Sequence, residues 1–392
     1  MNKLLLLTNR NIYSNCGESS LIHRRNLAIL EEKKIKIDII GFSKKNKEKS
    51  ENYLATFKCY DKIKVIFFSY KNIIKNIIVL RKELKKYLKI ENPKNIIISG
   101  YICSIFSFDI LKSYKQKNNC KFFYDLHGCV EEFQEYLIKN KILGRILTIF
   151  YSFIEKKVLK ISDSVFIVSN YMKKYLEEKY KVLGKEYYFI PCGIENCDIN
   201  RLYYRKKIRN ELGIDINEKV YLYSGGVSKW QMLEESLLIY KNHFKELGYK
   251  LVIFSKNTGA ILEILNKVNL NLNNVIIKSV KNEELLNYLT IGDIGIMYRE
   301  KKMTNKVAFP NKFSEYLKGG LLILTTPNIE EQKQIILKEK IGVFFNEKDI
   351  YKIDELNQIR MKKLRDFYRK CDDTIEKYLD YNKNVKKIKF KV

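Results

Sequence analysis

The stretch AFPNKFSEYLKGGLLILTT, residues 308–326, reads as a short helix running through two glycines into a buried strand. Pro310 suits the first helical position, and Phe313, Tyr316 and Leu317 make one apolar face. Gly319 and Gly320 stop the helix, and Leu321–Thr326 is a short apolar run of strand type. The apolar face leaves Lys312 and Glu315 unexplained. Three residues apart, they share the opposite face of the first turns, close to the positive end of the helix.

The same helix–strand alternation runs through the chain twice. Strand-type runs are KLLLLTN (3–9), KIDIIGF (36–42), KVIFFS (64–69), NIIISG (95–100), KFFYDLHG (121–128), DSVFIVS (163–169) and YYFIPCG (187–193). Helices are expected near 19–33, 72–89 and 142–160. After Gly193 the stretch IENCDINRLYYRKKIRNELGID is polar, lacks strand character and reads as an inter-domain connection. The alternation restarts at KVYLYSGG (219–226) and continues through KLVIFS (250–255), NVIIKSV (274–280), DIGIMY (293–298), GLLILTT (320–326) and IGVFF (341–345). Strands separated by helices imply a parallel sheet covered on both faces. The expected fold is therefore α/β, with two Rossmann-like doubly wound parallel-sheet domains, 1–198 and 199–355. A charged helical tail, 356–392, is expected to pack back toward the first domain.

Composition narrows the partners. The chain has 392 residues and a net charge of +29, of which residues 1–195 carry +17 and residues 196–392 carry +12. Such an excess suits an anionic partner such as a membrane surface or a phosphorylated molecule. A/T-rich codon usage, which favours Lys, Asn, Ile and Tyr, is the alternative source of the charge. Charge alone, without a recognised reading motif, does not make a nucleic-acid binder. The eight cysteines include no CxxC pair, and the three histidines are scattered, so neither a zinc site nor a disulfide framework is expected. Free thiols fit a reducing cytosol. MNKLLLLTNR is too short for a signal-peptide core and suits a first strand. No run approaches the length of a membrane span. ILGRILTIFYSFIEKKVLKI (142–161) is the most apolar segment and reads as a core-packed helix, with membrane-surface contact as the alternative. The basic helix near 72–89 is the expected lipid-facing element.

In doubly wound sheets ligands bind beyond the carboxyl ends of the strands. Three clusters lie there. YSGGVSKWQ (223–231) runs from a strand into Gly225 and Gly226, with Ser228 and Lys229 as further donors, and suits an anion. At the helix beginning near Pro310, Lys312 supplies a cation, and Glu315 can accept two hydroxyl donors from a vicinal diol such as ribose. Together they read as a nucleoside diphosphate site; the alternative is an exposed salt bridge worth ~0.3 kcal/mol. In YDLHG (124–128), His127 follows a buried strand at a ligand-facing edge. Asp-x-Asp, GxxxxGK[ST] and a GxGxxG after the first strand are all missing from the sequence, which argues against a carboxylate-held diphosphate metal, P-loop chemistry and dinucleotide oxidoreduction.

These residues resemble the two-domain GT-B glycosyltransferases, specifically the large retaining group called glycosyltransferase family four. The segments DLHG, SDSVFIVSNYMKKYL, YFIPCGIE, NEELLNYLTIGDIGIMY and FPNKFSEYLKGG are each similar to a segment of that group, in the same order and spacing. The resemblance implies two Rossmann-like domains facing a cleft, with the sugar nucleotide held mainly by the second domain and the acceptor by the first. It implies retention of configuration without a divalent metal. His127, Lys312 and Glu315 would be the catalytic set. The donor would be bound by Gly225, Gly226, Ser228, Lys229, Lys256, Val280, Arg299 and Asn311. Cys16, Gly17 and Glu18 would border the acceptor. Many members carry an Arg, a Lys and a Glu where this chain has Gly226, Gln231 and Val307, so Lys229, Arg299 or Lys312 would have to stand in on the diphosphate.

The expected activity is transfer of a sugar from a UDP- or GDP-linked donor to a glycan or lipid-linked acceptor, with no cofactor. The expected setting is bacterial capsule, surface polysaccharide or glycolipid synthesis, in the cytoplasm and peripheral at the inner face of the cell membrane. A catalytically silent GT-B subunit supporting a partner enzyme is the alternative.

Overall fold

The computed structural model describes residues 3–8, 17–43, 60–67, 73–194 and 198–391. Strands β1 (Lys3–Thr8), β2 (Lys36–Ser43), β3 (Tyr60–Phe67), β4 (Asn95–Ser99), β5 (Lys121–Asp125), β6 (Ser164–Ile167) and β7 (Glu186–Phe189) form one sheet in the order β3-β2-β1-β4-β5-β6-β7. Every described pairing in it is parallel. Leu4, Leu5, Leu6 and Leu7 are all fully buried. That explains the unbroken apolar run in β1: a central strand of a parallel sheet is covered on both faces and has no polar side to alternate with.

The second sheet contains β8 (Lys219–Ser224), β9 (Tyr249–Phe254), β10 (Val275–Lys278), β11 (Ile294–Met297), β12 (Leu322–Thr325) and β13 (Gly342–Phe344), in the order β10-β9-β8-β11-β12-β13. The strand order of this sheet is that of a dinucleotide-type doubly wound fold, and it reverses between β8 and β11. The first sheet reverses in the same way between β1 and β4, with one further strand at its edge.

The chain divides into two compact units, Met1–Pro191 with Asp380–Val392, and Cys192–Leu379. Residues 356–379, set with the tail in the sequence reading, thus lie in the second unit. Residues 380–391 close the first unit on the starting edge of its sheet. Asn95 exchanges two hydrogen bonds with the backbone of Lys391, at 2.8 and 2.7 Å, and Phe390 packs on Phe123 with ring centroids 5.0 Å apart. The carboxyl edge, where β5 ends at Asp125, lies opposite.

Two expectations need correction. Residues 201–211, read as part of a polar connection, form a helix whose inner face is arginine. Arg205 and Arg209 donate to Asp293 at 2.6 and 3.0 Å and to the backbone carbonyl of Ile291. Asp293 also accepts from the backbone N–H of Val220 at 2.8 Å. This buried cluster sits where β8 and β11 begin, away from the ligand edge, so its charges are structural. The second correction concerns the helix Lys141–Ile161. It buries Gly144, Thr148, Glu155, Val158 and Leu159, but its opposite apolar face is exposed rather than packed in the core.

Candidate functional site

In the second unit the ligand edge is built around the ends of β8 and β11. The helix Asn311–Gly319 starts there, with Lys312 as its second residue. Its apolar face, Phe313, Tyr316 and Leu317, is fully buried, and Gly320 ends it at φ 77°, a conformation that glycine adopts without strain. The Tyr316 hydroxyl accepts from the backbone N–H of Ser224 at 3.0 Å and donates to the carbonyl of Ile296 at 3.1 Å. One phenol therefore joins the last residue of β8 to β11 across the switch point. The ring lies against Gly295, where a Cβ would approach within 2.6 Å.

Lys312 is not an exposed salt bridge. It is 6% exposed, and its Nζ has no hydrogen-bond partner. The ammonium lies 3.8 Å from the centroid of the Tyr223 ring. Gly225 makes room for it: a Cβ there would lie 2.5 Å from Cε and 2.8 Å from Nζ, and the φ of 145° also favours glycine. Burial, together with the nearby positive charge of Arg299, pushes the Lys312 amine well below its usual range, and Glu315 only partly opposes this.

Arg299, 3% exposed, follows β11. Its guanidinium donates to the carbonyl of Tyr298 at 2.9 Å, and to the backbone carbonyl and Oε1 of Gln231 at 3.2 and 3.3 Å. Gln231, at the place where many members of the resembling group carry a lysine, thus orients an arginine. Two buried cations and the start of a helix converge on the turn after β8. That arrangement suits a ligand with two or more anionic oxygens.

The remaining donor candidates are less uniform. Gly226 follows Gly225, and its carbonyl accepts from the Tyr223 hydroxyl at 2.6 Å. Ser228 and Lys229 are exposed, and Lys256, also exposed, donates to Asn282 at 3.1 Å. Val280 is buried beyond β10, and Asn311 opens the helix that carries Lys312. Val307 is buried with an apolar side chain and offers no carboxylate.

In the first unit, His127 stands two residues beyond the end of β5. Its Nε2 lies 2.9 Å from Oδ1 of Asp125, and Arg25 holds both oxygens of that carboxylate at 2.6 and 2.8 Å. Arg25 and Asp125 are buried. Burial opposes ionisation of Asp125, but the Arg25 guanidinium and the hydrogen bond from His127 outweigh it and hold the carboxyl far below its usual range. An ionised Asp125 fixes the tautomer with Nε2 protonated, which leaves Nδ1 as the ring nitrogen that can accept from a ligand hydroxyl. Of the acceptor candidates, Cys16 lies outside the described residues, while Gly17 and Glu18 open the helix Gly17–Lys33. Among the described residues, no group of three His, Cys, Asp or Glu could hold a metal ion.

Sequence reading missed Arg25, Tyr223 and the bridging role of Tyr316. Tyr223 carried a signal, standing two residues before Gly225 on β8. Arg25 carried none, because its partner lies 100 residues away.

Comparison with known proteins fits this geometry. Residues 27–196, nearly all within the first unit, match the model of Glycosyltransferase Family 4. The fold is that of the GT-B glycosyltransferases, and residues 27–196 are similar to Glycosyltransferase Family 4. A glycosyltransferase from Rickettsia africae has a similar structure, at TM-score 0.69 and 17% identity, over 98% of this chain and 96% of that one. Anabaena HepE in complex with UDP-glucose matches at TM-score 0.65 and 10% identity, over 98% of both chains. WaaG, a glycosyltransferase involved in lipopolysaccharide biosynthesis, matches at TM-score 0.66 and 11% identity, over 98% of both chains. No curated protein matches this GT-B chain in sequence.

Proposed function

We propose that this chain is a glycosyltransferase that moves a hexosyl unit from a UDP- or GDP-linked donor to a glycan or lipid-linked acceptor, retaining the anomeric configuration and using no metal ion. The proposed setting is bacterial surface polysaccharide, capsule or glycolipid synthesis, in the cytoplasm at the inner face of the membrane. The observation that carries the reading is the buried ammonium of Lys312, without a hydrogen-bond acceptor, at the turn after β8. A diphosphate bound there would supply the missing acceptors. As the bond from the sugar to the diphosphate breaks, negative charge grows on the leaving oxygens. Lys312 and the start of its helix stabilise that charge, and Arg299 stands in for the arginine that Gly226 replaces. Glu315 holds the ribose hydroxyls, and the departing diphosphate takes the acceptor's proton. The family resemblance assigns His127, held by Asp125, to the donor sugar, and Cys16, Gly17 and Glu18 to the acceptor. The structural relative that binds UDP-glucose supports a uridine donor.

A catalytically silent GT-B subunit is the second reading, favoured by the buried Val307, which puts a hydrocarbon where many relatives carry a carboxylate. Hydrolysis and transfer assays on a panel of UDP- and GDP-sugars separate the two. Release of nucleoside diphosphate that depends on Lys312 supports the enzyme. Binding of the nucleotide with no turnover of any sugar in the panel supports the silent subunit.

A further inference from the structure

Several lysines of this chain lie against an aromatic ring and are also held by a carboxylate. Lys121 is 5.2 Å from the Phe123 centroid and pairs with Glu186. Lys179 is 5.1 Å from the Tyr175 centroid and pairs with Glu131. Lys219 is 5.2 Å from the Tyr249 centroid and pairs with Asp354. Lys312 departs from that pattern. Its ammonium is nearer its ring than any of these, 3.8 Å from the Tyr223 centroid, and its buried Nζ has no hydrogen-bond partner. Glu315, one helical turn on, attracts the charge but makes no hydrogen bond to it.

The two kinds of partner differ in what they leave for a ligand. A carboxylate holds an ammonium by spending one of its donors and cancelling its charge, and it repels a diphosphate. A ring attracts the charged form through the negative face of its π system and leaves all three N–H donors unspent. The other end of Tyr223 is also engaged, since its hydroxyl donates to the Gly226 carbonyl at 2.6 Å. Burial pushes the phenol well above its usual range, so it stays a donor. Gly225 touches both partners: a Cβ there would lie 2.5 Å from Cε of Lys312 and 3.6 Å from the Tyr223 oxygen. One rigid side chain, 1% exposed, thus holds the lysine with its face and the glycine turn with its oxygen.

We propose that Tyr223 is a positioning residue of the diphosphate site, setting the Lys312 ammonium and the Gly225–Gly226 turn at one fixed spacing while leaving the cation its charge for the ligand. The proposal rests on the nucleoside diphosphate reading given above. Tyr223 touches no reacting atom and acts through Lys312. Loss of the ring therefore matters only while Lys312 is present, which separates positioning from ordinary core packing.

The test is calorimetric titration of UDP and GDP, in chelator, into the full chain. The variants are Tyr223→Phe, Tyr223→Leu, Lys312→Met, and Tyr223→Leu combined with Lys312→Met, with circular dichroism and melting curves as the check on folding. Tyr223→Leu should bind the nucleotide ~tenfold or more weakly than the wild type, since the ammonium loses its platform. Tyr223→Phe keeps the ring and should stay within ~fivefold of the wild type, the weight of one hydrogen bond. On the Lys312→Met background, Tyr223→Leu should cost less than ~threefold, because the residue it acts through is gone. A side chain that only packs the strand would weaken binding by the same factor in both backgrounds. That result overturns the positioning role, as does a folded Leu variant with wild-type affinity. If Tyr223→Leu does not fold, the Phe variant decides: affinity within ~fivefold of the wild type supports the role, and affinity as low as that of Lys312→Met overturns it. A wild type that binds neither nucleotide overturns the reading of the site itself and this proposal with it, whereas the outcomes above leave that reading standing.

Discussion

Lys312 holds an amine in a place that disfavours its charge, with the Tyr223 ring below it, Arg299 nearby and no hydrogen-bond acceptor on it. Such a site costs stability until an anion fills it. Lys312→Met should therefore fold at least as stably as the wild type in denaturant titrations. The pH dependence has a definite sign. The folded-state pKa lies below the unfolded one, so between the two values the unfolded chain binds the extra proton, and stability rises with pH toward the ordinary lysine value of 10.5. The Met variant should lose that rise; an unchanged pH profile would contradict the assigned state of the amine. Kinetics should split the pair. Lys312→Ala should lower kcat strongly, because leaving-group charge grows in the transition state, whereas Glu315→Ala should chiefly raise the donor's KM. Steady-state rates on both variants check this. The places of Lys312 and Glu315 at a helix start and of His127 just beyond a strand end were legible in the sequence because both are local patterns. The Arg25–Asp125 pair and the Tyr223 ring beneath Lys312 were not, since those contacts join residues about a hundred positions apart.

At the scale of elements, the helix Asn311–Gly319 is tied to two strands by one phenol. Tyr316→Phe would leave the N–H of Ser224 without its partner and loosen the β8–β11 junction, at a cost of ~1–3 kcal/mol in urea unfolding. A loss below ~0.5 kcal/mol would show that water or relaxation replaces the bridge. In the first unit, the helices Lys141–Ile161 and Asn170–Tyr180 are joined by the Tyr180 hydroxyl, which lies 2.5 Å from Glu155. Burial pushes the Glu155 carboxyl up to about 7, above its unfolded value of 4.5. Its contribution is therefore fully present below the unfolded value and is lost as pH rises through the folded one. Glu155→Gln should abolish that decline in stability, measured by thermal unfolding from pH 4.5 to about 7. The helix Arg201–Glu211 shows why one element was not legible. Its buried stripe recurs at helical spacing, but the residues in it are Arg201, Arg205 and Arg209, so a search for apolar periodicity finds only a polar connection.

Among the described residues, thirteen strands lie close to their expected places, because apolar runs between helices mark parallel strands whatever the distant contacts are. β3 begins four residues earlier than its apolar run, and only the β2 partner reveals that. The points where the chain passes between units, Pro191 to Cys192 and Leu379 to Asp380, carry no change of composition to announce them. The residues closing the first unit are recognisable only once Asn95 and Phe123 are seen to hold Lys391 and Phe390. The central claim is that the turn after β8 and the start of the Lys312 helix form a nucleoside diphosphate site. Titration calorimetry of UDP and GDP into the full chain, in chelator, tests it most directly. One of the two nucleotides should bind the wild type, because a bound diphosphate supplies the acceptors that the Lys312 Nζ lacks. Lys312→Met should bind it ~100-fold more weakly. Absence of binding by either nucleotide, or equal affinity in the Met variant, would contradict the account.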